Sequence, residues 1–224
     1  MEILTIQFQN NLTFEEIPLF RGAVLHLLAD DESLLLHNHV SSGFRYAYPL
    51  VQYKSFYGKA AVVCLNEGID TMMQLMKKSN LQVRIGKKNR QPLLVEQINP
   101  QKFNISVASS FFQYHITRWL PLNSENYGRF LGLKRLVDRI LFLEQILTAN
   151  ILSFLKGVDV YMEEPVECHL LDVDDKSIIT TNKGIKVMAF DASFQTNVKL
   201  PEGIGLGKHA SLGYGIIIQE KHIN

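Results

Sequence analysis

Cysteine is nearly missing from this chain. Of 224 residues only Cys64 and Cys168 are cysteines, and both sit in apolar, strand-like surroundings, not in paired spacings. That excludes a disulfide scaffold and a cysteine-based zinc site, and it reads as two buried free thiols in a reducing, cytoplasmic compartment. The N-terminus lacks a charged segment followed by an apolar one, and no uncharged apolar run reaches membrane-spanning length, so no membrane is expected. Nucleotide fingerprints are missing too. Glycines cluster near the C-terminus, but no helical pattern follows them, which excludes a Rossmann turn, and no Gly-Lys-Ser/Thr leads into a helix, which excludes a P-loop. Net charge is only +1, yet its distribution is uneven. From Gly43 to Leu94 the basic residues are Arg45, Lys54, Lys59, Lys77, Lys78, Arg84, Lys87, Lys88 and Arg90, against Glu67 and Asp70 alone, whereas from Asp159 to Asp175 every formal charge is acidic. The basic stretch can meet a polyanion.

What the chain does have is ample apolar content, 46%, enough for a packed core and against disorder. It also has the segment Leu200-Pro-Glu-Gly-Ile-Gly-Leu-Gly-Lys-His-Ala-Ser-Leu-Gly-Tyr-Gly215, which holds five of the fourteen glycines between two strand patterns. Such a cluster marks backbone at positive φ or in close approach to something. Amides without neighbouring Cβ atoms can face a phosphate, and Lys208, His209 and Ser211 add charge and hydrogen bonds. The plain alternative is a glycine-rich hairpin with no ligand. The spacing Gly205-Leu-Gly207, five residues, then Gly213-Tyr-Gly215 resembles the glycine-rich loop of the CRISPR-associated repeat-RNA endoribonucleases of the RAMP superfamily.

In chain order, Ile3–Phe8 is a strand and Phe14–Leu28 a helix; Phe44–Tyr53 and Lys59–Leu65 pair through Ser-Phe-Tyr-Gly; Gly68–Lys78 is a helix with Ile69, Met72, Met73 and Met76 inward; Leu81–Ile85 is a strand. This β-α-β-β-α-β order predicts a ferredoxin-like unit. Strands follow at Leu93–Ile98, Lys102–Ala108 and Phe111–Leu120, the first two joined through the turn signal Asn99-Pro100. A helix spans about Leu133–Leu155, and strands run to the end. The expected fold is therefore α+β, two ferredoxin-like (RRM-like) units in tandem with antiparallel sheets, divided into 1–90 and 91–224, the second carrying the glycine-rich loop.

The other informative stretch is Leu34 to Lys54, with His37, His39, Arg45, Tyr46 and Lys54. Two histidines two residues apart point the same way when extended. A metal site is a weak reading, because no third ligand stands at a fitting spacing; no metal and no cofactor are expected. Acid–base work on RNA fits better: one group takes the 2′-OH proton, another protonates the 5′-oxygen, and histidine titrates where either step can run. Arg45, Tyr46 and Lys54 are local candidates to stabilise phosphorane charge. His26, on the first helix, is a third histidine whose ordinary reading is a packed or surface residue.

Leu36 to Lys54, with Tyr-Pro-Leu-Val-Gln-Tyr-Lys, is most similar to the type I-B subgroup of that RAMP family. The resemblance covers both ends of the chain, and the middle agrees in element order. It implies metal-independent cleavage of precursor CRISPR RNA within the repeat, with 2′,3′-cyclic phosphate and 5′-OH products. It maps catalysis onto His37 and His39 with Tyr46 in support, and does not choose between the histidines. RNA contacts are expected from Gly205, Gly207, Lys208, His209, Ser211, Gly213 and Gly215, from Arg45 and Lys54, from Lys87, Lys88 and Arg90, and from Arg135 and Arg139; the alternative for the basic run is a solvated helix end and hairpin. The expected partners are the precursor CRISPR RNA repeat, other Cas subunits of an effector complex, and a second copy in a homodimer. Two rival readings stand beside this one: a non-catalytic crRNA-binding RAMP subunit, and a ferredoxin-like protein whose glycine loop takes a small anion.

Overall fold

A computed structural model describes residues 1–224 except 29–38, 41–42, 45–47, 79–80, 175–177, 183–184 and 221–224. The chain divides into two compact units, Met1–Phe103 with Ser211–Gly213, and Asn104–Ala210 with Tyr214–Asn224. The break falls later than residue 90 because the last strand of the first sheet lies beyond that point.

The first unit runs β1 (Glu2–Asn11), α1 (Ile17–Leu28), the short ribbon β2 (His39–Val40) and β3 (Gly43–Phe44), then β4 (Val51–Phe56), β5 (Lys59–Leu65), α2 (Glu67–Met76), β6 (Gln82–Val83), β7 (Gln91–Pro92) and β8 (Val95–Lys102). Its four-stranded sheet has the order β4-β5-β1-β8, with all pairs antiparallel. β4 and β5 turn through Tyr57 and Gly58, both at positive φ (52° and 78°), the geometry that suits the twist of a two-residue hairpin. Just ahead of α1 the Thr13 amide donates to Glu16 Oε2 at 3.1 Å, one of the two bonds of a capping box.

Two expectations are corrected here. The fourth strand is β8, not Leu81–Ile85: β6 keeps only two residues and pairs β7 in a separate hairpin. Nor is Asn99-Pro100 a turn. Pro100 lies inside β8 opposite Leu4, tolerated because β8 is an edge strand that need not donate on its outer side. The core gathers Ile6, Phe8, Phe20, Tyr53, Val62 and Met72. Phe20 meets Phe8 and Tyr53 edge-on at 6.0 and 5.9 Å, a favoured aromatic geometry. On α2 the buried residues are Gly68, Thr71, Met72 and Leu75, so the stripe is displaced from the expected one and Met73 is exposed. Gly68 sets that face, since a Cβ there would stand 2.5 Å from the Leu50 carbonyl oxygen.

The second unit runs β9 (Val107–Trp119), α3 (Ser124–Gly132), α4 (Leu136–Gly157), β10 (Cys168–Val173), β11 (Ile178–Asn182), β12 (Ile185–Val198), a 3-10 turn at Ala210–Leu212, and β13 (Ile216–Gln219). β9 is one long strand where two were expected. α3 is an element the apolar periodicity did not mark; its signal is the cap, Asn123, whose side chain accepts from the Asn126 amide at 2.7 Å. The five-stranded sheet has the order β10-β12-β9-β13, with β11 also paired to β12. Matched by position, this is the order of the first unit: strand, helix, two strands, a connection, and a last strand beside the first. The fold is thus two ferredoxin-like units in tandem. In the first the later connection is α2; in the second the glycine-rich segment takes its place. α4 is long and apolar enough to cross a membrane by composition, but it buries Leu143, Leu147, Ile151, Phe154 and Leu155. Both cysteines are free and buried, and burial pushes both thiols up to about 12.

The Tyr53 hydroxyl is buried with no hydrogen-bond partner among the described residues. A buried hydroxyl in that condition costs more than its absence. Tyr53→Phe is therefore expected to hold or raise stability, by up to about 1 kcal/mol. Chemical denaturation checks this, and a loss of more than about 1 kcal/mol would show that the hydroxyl is satisfied.

Candidate functional site

His37, Arg45 and Tyr46 lie outside the described residues. The backbone of His39 is placed in β2, opposite Phe44 of β3, so the histidine segment contains a small antiparallel ribbon. Lys54 is not a surface cation. Alternation along β4 puts Val51 and Tyr53 toward the core and Gln52 and Lys54 on the opposite face, and both polar residues are wholly buried. Gln52 Nε2 donates to the Tyr48 hydroxyl at 2.8 Å and to the Pro49 carbonyl at 3.1 Å. Burial pulls the Lys54 ammonium down to about 7. A cation so enclosed does not present itself to a phosphate chain.

The basic run is brought together on one hairpin. Between β6 and β7 the residues Arg84, Lys87, Lys88 and Arg90 are all exposed. Lys88 pairs with Glu16 at 2.6 Å, and its hydrogen bond holds the Glu16 carboxyl below its ordinary value. Lys78 is engaged elsewhere, donating to the Leu27 carbonyl at 2.6 Å. In the second unit Arg139 works as a structural clamp. Its Nε donates to the Leu133 carbonyl at 2.8 Å, and its guanidinium lies 5.4 Å over the Phe130 ring. Arg135 is exposed and faces Asp138 at 3.8 Å.

The glycine-rich segment is more closed than its composition suggests. Leu200 is clipped by the Tyr114 hydroxyl, which accepts from its amide at 2.8 Å and donates to its carbonyl at 3.2 Å. The Gly203 amide donates to Ile217, Ile217 returns a bond to Ile204, and Leu206 donates to Gly215, at 2.9, 3.0 and 2.8 Å. The chain before the loop thus zips onto β13, with a bridge between Gly205 and Ile216. Packing requires the glycines. A Cβ on Gly215 would stand 2.0 Å from the Leu206 carbonyl oxygen, and one on Gly205 2.7 Å from that of Tyr214. Gly207, at φ 84°, would meet Asn150 Oδ1 at 2.7 Å and Trp119 Nε1 at 3.0 Å. Gly205, Gly213 and Gly215 are buried, so the accessible part of the loop is Lys208, exposed, with His209 and Ser211 half-buried. His209 is itself left-handed (φ 58°) and its ring lies 6.0 Å from that of Tyr214. Ser211–Gly213 belong to the first unit, where Leu212 packs against the core.

Trp119, Asn150 and Tyr114 are supports of this loop that sequence reasoning missed. They are remote from it along the chain, and no local spacing signals them. A cavity of about 760 Å³ in the second unit is lined by Asp172, Asp174 and Asp191 with His115 and apolar residues, an acidic balance that does not suit a polyanion. Among the described residues no group of three His, Cys, Asp or Glu could hold a metal ion.

The fold and the loop define the class: tandem ferredoxin-like units, the second closed by a glycine-rich crossing. Residues 1–104 match the family model of the Cas6b N-terminal domain and residues 106–220 that of the Cas6b C-terminal domain. The chain belongs to the Cas6b family. An uncharacterized Methanocaldococcus jannaschii protein, MJ0978, is 34% identical over 114 residues, covering 50% of this chain and 76% of that one. A solved structure titled as Cas6b shares the fold with a TM-score of 0.83 at 21% identity, over 98% of this chain and 100% of that one. A second, titled as the CRISPR RNA processing endoribonuclease Cas6b, has a TM-score of 0.71 at 18% identity with the same coverage, 98% and 100%.

Lys54 carries a pH dependence. Its ordinary value is 10.5 and its folded value about 7. Between the two values the unfolded chain binds the extra proton, so stability rises with pH; below the folded value both states are protonated and the dependence ends. Lys54→Met removes this titration, so its stability relative to the unaltered chain is expected to fall as pH rises from neutral toward 10.5. Melting temperatures of both proteins at pH 6.5 and pH 9.5 check the trend; a gain that grows with pH would overturn it.

Proposed function

We propose that this chain is a metal-independent endoribonuclease that cuts precursor CRISPR RNA within the repeat. The observation that carries the reading is the match of both halves to the two Cas6b domains. The exposed cations of the β6–β7 hairpin and Lys208 on the glycine loop support it as contacts for a phosphate chain. The chemistry follows from RNA itself. One of His37 and His39 takes the proton of the 2′-OH, whose oxygen attacks the adjacent phosphorus. The P–O5′ bond breaks, and the other group delivers a proton to the departing 5′-oxygen. The products are a 2′,3′-cyclic phosphate and a 5′-OH, with no water consumed. In this reading Tyr46 supports charge on the phosphorane. Since the nucleophile is internal and both proton transfers belong to side chains, no metal step is required.

Cleavage of repeat RNA in EDTA tests this. The unaltered chain is expected to cut; His37→Ala and His39→Ala are each expected to slow cutting by roughly 10²- to 10⁴-fold while RNA affinity holds. If both variants cut at the normal rate the acid–base assignment fails, and binding without any cutting by the unaltered chain would favour a crRNA-binding subunit instead. For the hairpin, Lys87→Ala and Arg90→Ala should each weaken binding across RNA sequences and lower the salt slope by about one; an unchanged slope removes the hairpin from the interface. The same reading carries two partner expectations, other Cas subunits of an effector complex and a second copy of the chain; sedimentation with and without repeat RNA addresses the latter.

A further inference from the structure

In the first unit α2 connects the third strand of the sheet to the fourth, held by its own buried face. The corresponding connection in the second unit, 199–215, contains a single 3-10 turn. It has no apolar helical stripe to press on the sheet, so its position must come from individual contacts. As far as Leu206 the ladder with β13 and the Tyr114 clip supply them. Lys208 and His209 lie beyond that ladder. At Gly207, immediately before them, the backbone rests against one side-chain pair: the Trp119 indole, whose Nε1 donates to Asn150 Oδ1 at 2.9 Å.

Trp119 is wholly buried. Its indole has one hydrogen-bond donor and no acceptor, so the ring orientation that satisfies it is set by where the acceptor stands. Asn150 projects from α4, a helix anchored by five buried apolar residues, and is a fixed point. Gly207 can lie on the pair only because it has no Cβ, and there the chain takes a left-handed step (φ 84°) into the exposed Lys208. We infer that Asn150 is a positioning residue for RNA binding: by holding the Trp119 indole it fixes the surface on which Gly207 sits, and thereby the place from which Lys208 and His209 meet a phosphate. This rests on the reading that the glycine loop holds RNA.

The test uses the full chain and a synthetic RNA of the cognate repeat, in single-turnover cleavage with protein in excess. It yields the half-saturating protein concentration and the maximal rate separately. Lys208→Ala is expected to raise the half-saturating concentration, which is the check on the loop reading itself. Asn150→Leu, which removes the acceptor, should raise it roughly five- to tenfold, the equivalent of one net hydrogen bond, with the maximal rate held. Asn150→Asp keeps an acceptor oxygen in the same place and should lose less than Asn150→Leu, which also guards against misfolding of the leucine variant. On a Trp119→Phe background, where the donor is gone, Asn150→Leu should add little. An unchanged half-saturating concentration for Asn150→Leu, beside a raised one for Lys208→Ala, overturns the inference alone. So does an equal loss in the leucine and aspartate variants, or a fall in melting temperature and maximal rate without a change in half-saturation. No effect of Lys208→Ala overturns the loop reading and this inference with it.

Discussion

Backbone against backbone is the constraint on which the second unit turns. Residues 204–206 run so close to 214–217 that their amides and carbonyls exchange bonds directly, and at Gly215 there is no room for even one more carbon atom beside the Leu206 carbonyl. Substituting for the glycines would prise the last strand from its neighbour. Once that crossing closes, β13 can lie along β9, and the strand order of the first unit is reproduced without a second connecting helix. The loop's glycines are therefore first a packing necessity, and the chemistry left to the loop belongs to the few side chains between them.

Charge is arranged on the same plan of separation. The chain's small net value hides a cationic hairpin in one unit and an acidic stretch with an acid-lined cavity in the other. Since affinity for nucleic acid is carried by cations on an accessible surface, exposure decides which of the many basic residues matter. Arg84, Lys87 and Arg90 stand in solvent, whereas Lys54 is enclosed and Arg139 is spent on a carbonyl and an aromatic ring. Spacing along a strand says which face a residue takes, but not whether that face is later covered.

Legibility in the sequence followed the range of the interactions. Periodicity and caps are local, so the two main helices of the ferredoxin order, the β4–β5 hairpin and the long α4 could be read directly. α3 went unread because its signal is a lone asparagine cap and not an apolar stripe. Leu81–Ile85 looked like a strand because its residues favour one. Its place in the sheet went to β8, which pairs seven positions of β1, and ladder length is a property of two segments that no single window contains.

By itself the amino-acid order determined the tandem α+β plan, the glycine cluster and the paired histidines, because each is a pattern among neighbours. Only the tertiary structure decided that the glycines serve a closed crossing, that Lys54 is interior, and that Trp119 and Asn150 stand against Gly207. Those facts depend on atoms from distant parts of the chain competing for the same space, and steric exclusion of that kind leaves no periodic trace in the sequence.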